Sequence, residues 1–558
     1  MTAQQKRNAT AIDGVAEGWV DTLVDLVPTV GTYIGRNDAN DSFSDYSPDG
    51  IQKQREALTN ARAALDAQNA VDDVDRVTKE DLGRELDLSI ETIDAGLPFR
   101  SLNVIESPSQ EIREVFDLMP TDTVDDWSTI STRLSRVPQA IEGYIETLQR
   151  GSATGIVPAR RQVIEVAAQA RKVAASDGFF TVFAHSASTT SGELPASLTA
   201  DLGERAVRAA EAYGRLANFL TDELAGAATE RDAIGRDLYA LQSRQFLGAA
   251  IDLDETYEWG IEELARMVDE QESIARQIKP GASVLEAIEH LEHDESRKLH
   301  GTDALQKWMQ ATSDRAVADL GKSHFDIPDE IRTIECMIAP TQEGGIYYTG
   351  PTDDFTRPGR MWWSVPEGVT EFDTWRELTT VYHEGVPGHH LQIGQSVYNR
   401  DALNSWRRLL AGTSGHAEGW ALYAERLMEQ LGYLDDPADR LGMLDGQRMR
   451  AARVVLDIGV HLEKQRPDGA GPWTAGFAFD FMGRNVNMNE SFVRFEVNRY
   501  LGWPGQAPSY KVGQRIWEQL RDDARAAGGE SFDIKDFHRR ALALGGVGLD
   551  TLKNALTA

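Results

Sequence analysis

Eight residues, His383-Glu384-Gly-Val-Pro-Gly-His389-His390, hold three of the chain's eleven histidines together with a glutamate. Imidazole nitrogens are common zinc ligands, and a carboxylate beside the first imidazole is the usual general base for a metal-activated water. The chemistry this mixture points to is metal-assisted hydrolysis. A standard zincin helix reads His-Glu-x-x-His, because residues four apart share a face and two imidazoles can meet on one ion. Here Pro387 stands at the second histidine's place. On an unbroken helix, at about 100° per residue, His389 would lie roughly 240° from His383 and His390 within about 20°. Pro387 cannot donate a backbone hydrogen bond and Gly388 accepts unusual dihedrals, so a kink or bulge is expected and the register stays open. His389 is assigned as the second ligand, with His390 as the alternative ligand or an outer, substrate-facing group.

The stretch Gly415-His-Ala-Glu418-Gly-Trp-Ala-Leu-Tyr-Ala-Glu425 reads as a helix whose first glutamate comes 29 residues after His389. Glu418 and Glu425 are seven apart and therefore share one helix face. Glu418 is assigned as the third ligand of one Zn2+ per chain, which leaves a position for water as a catalytic site requires. Glu425 is assigned to orient a histidine from outside the ligand set. Amide hydrolysis also needs a donor aimed at the developing oxyanion, and Tyr510, in a Gly-Gln-Ala-Pro-Ser-Tyr-Lys loop, is the candidate, with His461 second. Arg448, Arg450 and Arg453 share one expected helix and could include a clamp for a substrate carboxylate, the choice falling on Arg453. Tyr348, with Tyr347, is placed to touch substrate.

These residues need elements to carry them. Long stretches such as Leu198 to Leu224 and Tyr257 to Ile278 carry apolar residues at helical spacing, so the fold is expected to be mainly α. Thr78-x-x-Asp81 and Thr370-x-x-Asp373 resemble capping boxes that would start helices near Lys79 and Glu371. The second helix would run through Trp375, Leu378, Val381 and Tyr382 into His383. Between Ile331 and Val365, three short segments rich in β-branched and aromatic residues predict a small sheet, whose edge could bind an extended peptide. Asn37 to Gly50, rich in Asp, Ser and Asn, reads as a loop.

At 558 residues the chain exceeds what one core usually organises. A helical region over 1–330, forming a wall or roof, and a catalytic region over 331–558 are expected. A formal charge of −32 disfavours nucleic acid and anionic membrane as partners. Cys336 is the one cysteine and has apolar neighbours, so it reads as a buried thiol. The first residues lack an apolar signal segment and no apolar run of spanning length occurs, which points to a cytoplasmic protein.

The segments HEGVPGHHLQ (383–392), EGWALYAE (418–425), RVVLDIGVH (453–461), RYLGWPGQAPSYKVG (499–513) and FDIKDFHRRAL (532–542) together resemble the ordered signature of the DUF885 family. The resemblance covers most of the chain and is tightest from residue 340 onward. It implies a zincin-like metallopeptidase of the gluzincin type, mostly helical with a deep cleft, using two histidines and a glutamate as ligands and the glutamate of the His-Glu pair as base. The function expected is zinc-dependent hydrolysis of short peptides. The rival reading is a non-catalytic metal-binding or scaffolding protein with a degenerate zincin site. A serine hydrolase would want a Gly-x-Ser-x-Gly elbow, which is missing, and Gly545-Gly-Val-Gly548 lacks the lysine of a phosphate loop.

Overall fold

Several helix starts in this chain are set by side chains that take up free amides of the first turn. Thr10, Thr123 and Ser283 form reciprocal caps with Asp13, Asp126 and Glu286, opening helices Ala11–Leu26, Val124–Thr154 and Val284–Glu292. The computed structural model describes residues 7–339 and 345–557, and in these the protein is mainly helical with two small sheets.

Helices Val124–Thr154, Arg160–Ala174 and Ala196–Phe219 pack around a core that includes Phe116, Leu134, Leu148, Phe180 and Tyr213. The last of them continues through a π-turn, Leu220–Leu224, so the helical reading of Leu198 to Leu224 holds. A second group, Ala11–Leu26, Pro48–Asp66 and Asp73–Asp94, closes on Trp406 from the far end of the chain. The largest core draws on residues from Val77 to Leu552, on both sides of residue 330. Helices Leu253–Ile278 and Pro437–His461 run through it. Burial of such apolar area is the main term holding the elements together.

The sheet lies where the sequence predicts it. Gly359–Trp363 is the central strand, parallel to Ile334–Ile338 and antiparallel to Ile346–Thr349, with Met361 opposite both Cys336 and Tyr348. Ile334, Cys336, Met361 and Trp363 point inward, against Leu305 and Met309 on one helix and Val381 on another. Cys336 is buried, and burial pushes its thiol up to about 11, so it is no nucleophile. The sheet thereby braces the helix Thr374–Glu384, which ends in His383 and Glu384.

Both proposed capping boxes are displaced. Asp72 caps the helix Asp73–Asp94, so Thr78 and Asp81 sit inside it, fully buried. Thr78 there accepts from Arg407, and Asp81 accepts from the Gly548 amide and the Thr551 hydroxyl, which ties the two ends of the chain together. Near residue 370 the helix starts at Thr374, because Glu371–Asp373 pairs as a strand with Lys298–His300. The segment from Asn37 to Gly50 is loop except for a 3-10 turn at Asn37–Ala39 and the helix that opens at Pro48.

Candidate metal centre

The helix Thr374–Glu384 does not bulge at Pro387; it stops, and a new helix, His389–Tyr398, begins after four residues. The break has a steric cause. A Cβ on Gly388 would lie 1.9 Å from the His383 carbonyl oxygen, so only glycine fits there. The turn is held from below by Trp420, whose indole N–H donates to the carbonyls of Pro387 at 2.8 Å and Gly388 at 3.2 Å. This places His389 at the first position of the new helix, facing His383 with ring centres 4.9 Å apart and planes at 89°.

The helix Ser414–Gln430 brings the carboxylates. Glu418 Oε2 lies 3.2 Å from His383 Nε2 and 3.7 Å from His389 Nε2. Glu425, one turn-pair further, is 2.7 Å from His383 Nδ1 through Oε1, while its Oε2 accepts from Thr379 at 2.9 Å and Gln447 at 3.4 Å. Glu384 completes the cluster: potential ligand atoms of His383, Glu384 and His389 all lie within 4.8 Å of one another. Two carboxylates are thus in reach of a shared ion. Glu418 approaches the Nε2 atoms of both imidazoles, while Glu384 is the carboxylate grouped with them in the buried cluster.

His390 is committed elsewhere. Its Nε2 contacts the Ile331 carbonyl at 2.8 Å and its Nδ1 the Tyr348 hydroxyl at 3.0 Å, and it is wholly buried. With both nitrogens engaged it offers no donor to the His383 site. Tyr348, assigned to substrate, is consequently tied to His390, whereas Tyr347 stacks on Trp362 and is 42% exposed.

Charges in the cluster are strongly coupled. Burial alone would lower His383, yet hydrogen bonds to Glu418 and Glu425 outweigh it and hold the imidazole up at about 10. Glu418 is pulled well below the carboxylate range in spite of its burial, by His383 and His389. Burial pushes Glu384 up, reinforced by Glu418 and opposed by His389, His383 and Arg450. Two imidazoles converging on a carboxylate, with His389 Nδ1 buried and unpartnered among the described residues, make a donor set that suits a divalent cation such as zinc.

Tyr510 sits near the start of the helix Gln506–Gly528, not in a loop. That helix crosses Ser414–Gln430 closely because Gly419 faces Gly513: a Cβ on Gly419 would come 2.5 Å from the Gly513 carbonyl carbon. Tyr510 is pushed up by burial and by the charge of Glu418, so its hydroxyl keeps its proton. His461 is not brought to the cluster. It is fully buried, stacks on Tyr239 and has Nε2 3.0 Å from the Tyr500 carbonyl.

Of the four arginines on Pro437–His461, the sequence singles out Arg448, Arg450 and Arg453, and two of these are engaged away from a ligand. Arg448 donates to Gln271 and Asn485. Arg453 pairs with Glu496 at 2.8 Å and donates to the Tyr500 hydroxyl at 2.7 Å, so the substrate contact expected of it is replaced by a buried ion pair. Sequence reasoning missed Trp420, Thr379 and Gln447; Trp420 lies within the EGWALYAE stretch, two residues past Glu418, and an indole so close to the assigned glutamate was the available signal.

Fold and site together define a mainly helical protein with a buried His/Glu cluster able to hold a metal ion. The chain belongs to the family described as bacterial protein of unknown function (DUF885), which it matches over residues 28–556. No curated protein matches it. The crystal structure of a candidate lipoprotein from Colwellia psychrerythraea is similar, with TM-score 0.84 and 22% identity, covering 98% of this chain and 99% of that one. A candidate lipoprotein of unknown function from Shewanella oneidensis gives TM-score 0.75 and 17% identity over 99% of this chain and 100% of its own. A Pyrococcus furiosus carboxypeptidase gives TM-score 0.41 and 11% identity, covering 99% and 97%, too low to argue a shared fold. The cytoplasmic location expected from sequence is overturned by the first two neighbours, which are named as lipoproteins, a membrane-anchored class. Among the described residues no helix is long and apolar enough to cross a membrane.

Proposed function

We propose that this protein is a zinc-dependent hydrolase of short peptides with a zincin-like site, in which His383, His389 and Glu418 hold the ion and Glu384 moves the proton. The observation that carries this reading is the approach of one Glu418 oxygen to the Nε2 atoms of both histidines, with Glu384 in the same cluster. A divalent ion bound there would supply Lewis acidity, polarising a peptide carbonyl and acidifying a water.

The chain's own groups account for the rest. Glu384, raised by burial, takes a proton from water as its oxygen attacks the carbonyl carbon. As the carbon–nitrogen bond breaks, Glu384 returns that proton to the leaving amine. Tyr510 keeps its hydroxyl proton and donates it as a hydrogen bond to the oxyanion. Glu425, through Nδ1, fixes the His383 ring and directs Nε2 inward. The exposed face of Tyr347 and the edge strand Ile346–Thr349 offer an extended peptide a place to lie.

The test is metal analysis of the purified protein together with cleavage of a peptide mixture, with and without a chelator. The expected result is about one zinc per chain and cleavage that the chelator abolishes, with Glu384→Gln keeping the metal and losing roughly 100- to 10,000-fold in turnover. Bound metal without chelator-sensitive cleavage would mean a binding protein, and full activity in Glu384→Gln would remove that residue from the chemistry.

A further inference from the structure

Arg450 differs from its neighbours on the helix Pro437–His461. Arg448 and Arg453 spend their guanidinium groups on Gln271, Asn485, Glu496 and Tyr500. Among the described residues Arg450 makes no hydrogen bond or ion pair, and its Nε is buried without a partner. The side chain is half-buried, so a guanidinium left unpaired beside a reactive cluster is available to a ligand that reaches it.

Its surroundings say where that occupant lies. The guanidinium carbon is 5.9 Å from the centre of the Tyr510 ring. Glu384, Glu425 and Tyr510 all feel its charge. Gly446, one turn earlier, leaves room for it: a Cβ there would meet Arg450 Nη1 at 2.7 Å. Glycine inside a helix costs about 1 kcal/mol relative to alanine, and here it admits the folded-back guanidinium. Those carboxylates are at charge range without touching it, so the fork of N–H donors is open to a ligand.

We propose that Arg450 receives the free C-terminal carboxylate of a peptide, which makes the site one that acts at the carboxyl end of its substrate. The guanidinium matches a carboxylate in shape and charge, as an ammonium or amide would not. An extended chain advances about 3.3 to 3.6 Å per residue, so with the guanidinium 5.9 Å from the Tyr510 ring centre, a carboxylate on Arg450 puts Tyr510 within about one or two residues of the chain end. The choice of bond rests on the hydrolase reading above, whereas the binding preference does not.

The test compares N-benzoyl-Gly-Phe with its carboxamide, by titration calorimetry on the full chain after chelator treatment and by cleavage with the protein as purified. The acid is expected to bind wild type roughly 10- to 100-fold more tightly than the amide. Arg450→Gln is expected to erase that preference while leaving amide binding unchanged, which also shows the variant folded. Should Arg450→Gln not fold, Gly446→Ala decides, since it keeps the charge, favours the helix and pushes the guanidinium aside; loss of the preference supports the proposal. Equal binding of acid and amide to wild type, or a preference that survives the deciding variant, overturns it. A preference for the acid with neither peptide cleaved would remove the hydrolase reading and leave the carboxylate site standing.

Discussion

Glu425 Oε1 lies 2.7 Å from His383 Nδ1, on the other nitrogen of the ring from the one that meets Glu418. The ring is thereby gripped at one end and presented at the other. With Nδ1–H held by Glu425, Nε2 is the nitrogen at which a metal ion would take the place of the proton now shared with Glu418, and the carboxylate behind the ring would make it the more basic ligand.

Replacing Glu425 with Gln keeps the shape but removes the charge behind the ring. Zinc affinity should fall about 10- to 100-fold, measured by competition with a chromogenic chelator. Unchanged affinity would mean that Glu425 only packs.

Tyr510→Phe removes a donor without touching the ligand set. Turnover should drop about 100-fold or more at nearly constant KM, with metal content intact. A rise in KM alone would relocate the tyrosine to substrate binding.

Gly388→Ala drives a methyl group into the His383 carbonyl oxygen, 1.9 Å from the added carbon. The turn must open, so a stability loss of about 3 kcal/mol or more and loss of stoichiometric zinc are expected together, read from denaturant unfolding and metal analysis. Wild-type stability in this variant would show that the turn relaxes freely.

Asp457 sets a pH dependence away from the metal. Burial pushes it up to about 7, opposed by hydrogen bonds from the Tyr239 hydroxyl and the Gly505 amide. The folded value exceeds the unfolded one, so the native state binds the extra proton. That stabilisation is complete below about pH 4 and is lost as pH rises through about 7. Asp457→Asn cannot titrate, and from pH 5 to pH 8 its unfolding midpoint should therefore rise relative to wild type. A constant difference across that range would contradict the shift.

Much of this was legible in the sequence because it depends on local periodicity. The helix through Trp375, Val381 and His383, the three strands, and Glu418 and Glu425 on one face all follow from spacing that tertiary contacts do not override. The choice between His389 and His390 was not legible. Pro387 and Gly388 break the register, and it is the carbonyl of Ile331, 59 residues away, that helps draw His390 off the site. Thr78 and Asp81 misled for a related reason: a cap pattern and a buried polar tie use the same residue types, and only Asp72 upstream distinguishes them. Which of Arg448, Arg450 and Arg453 is left unpaired was not legible either, because the groups that occupy Arg453, Glu496 and Tyr500, come from a different helix.

Trp420 and Glu418 stand two residues apart on one helix, the first fastening the turn that spaces the histidines and the second joining them. A sliding motion of that helix would carry the acid and the loop with it as a single piece. The imidazoles and their carboxylate are thus geared together, so that a shift of this helix would move all three as one and leave their mutual spacing intact.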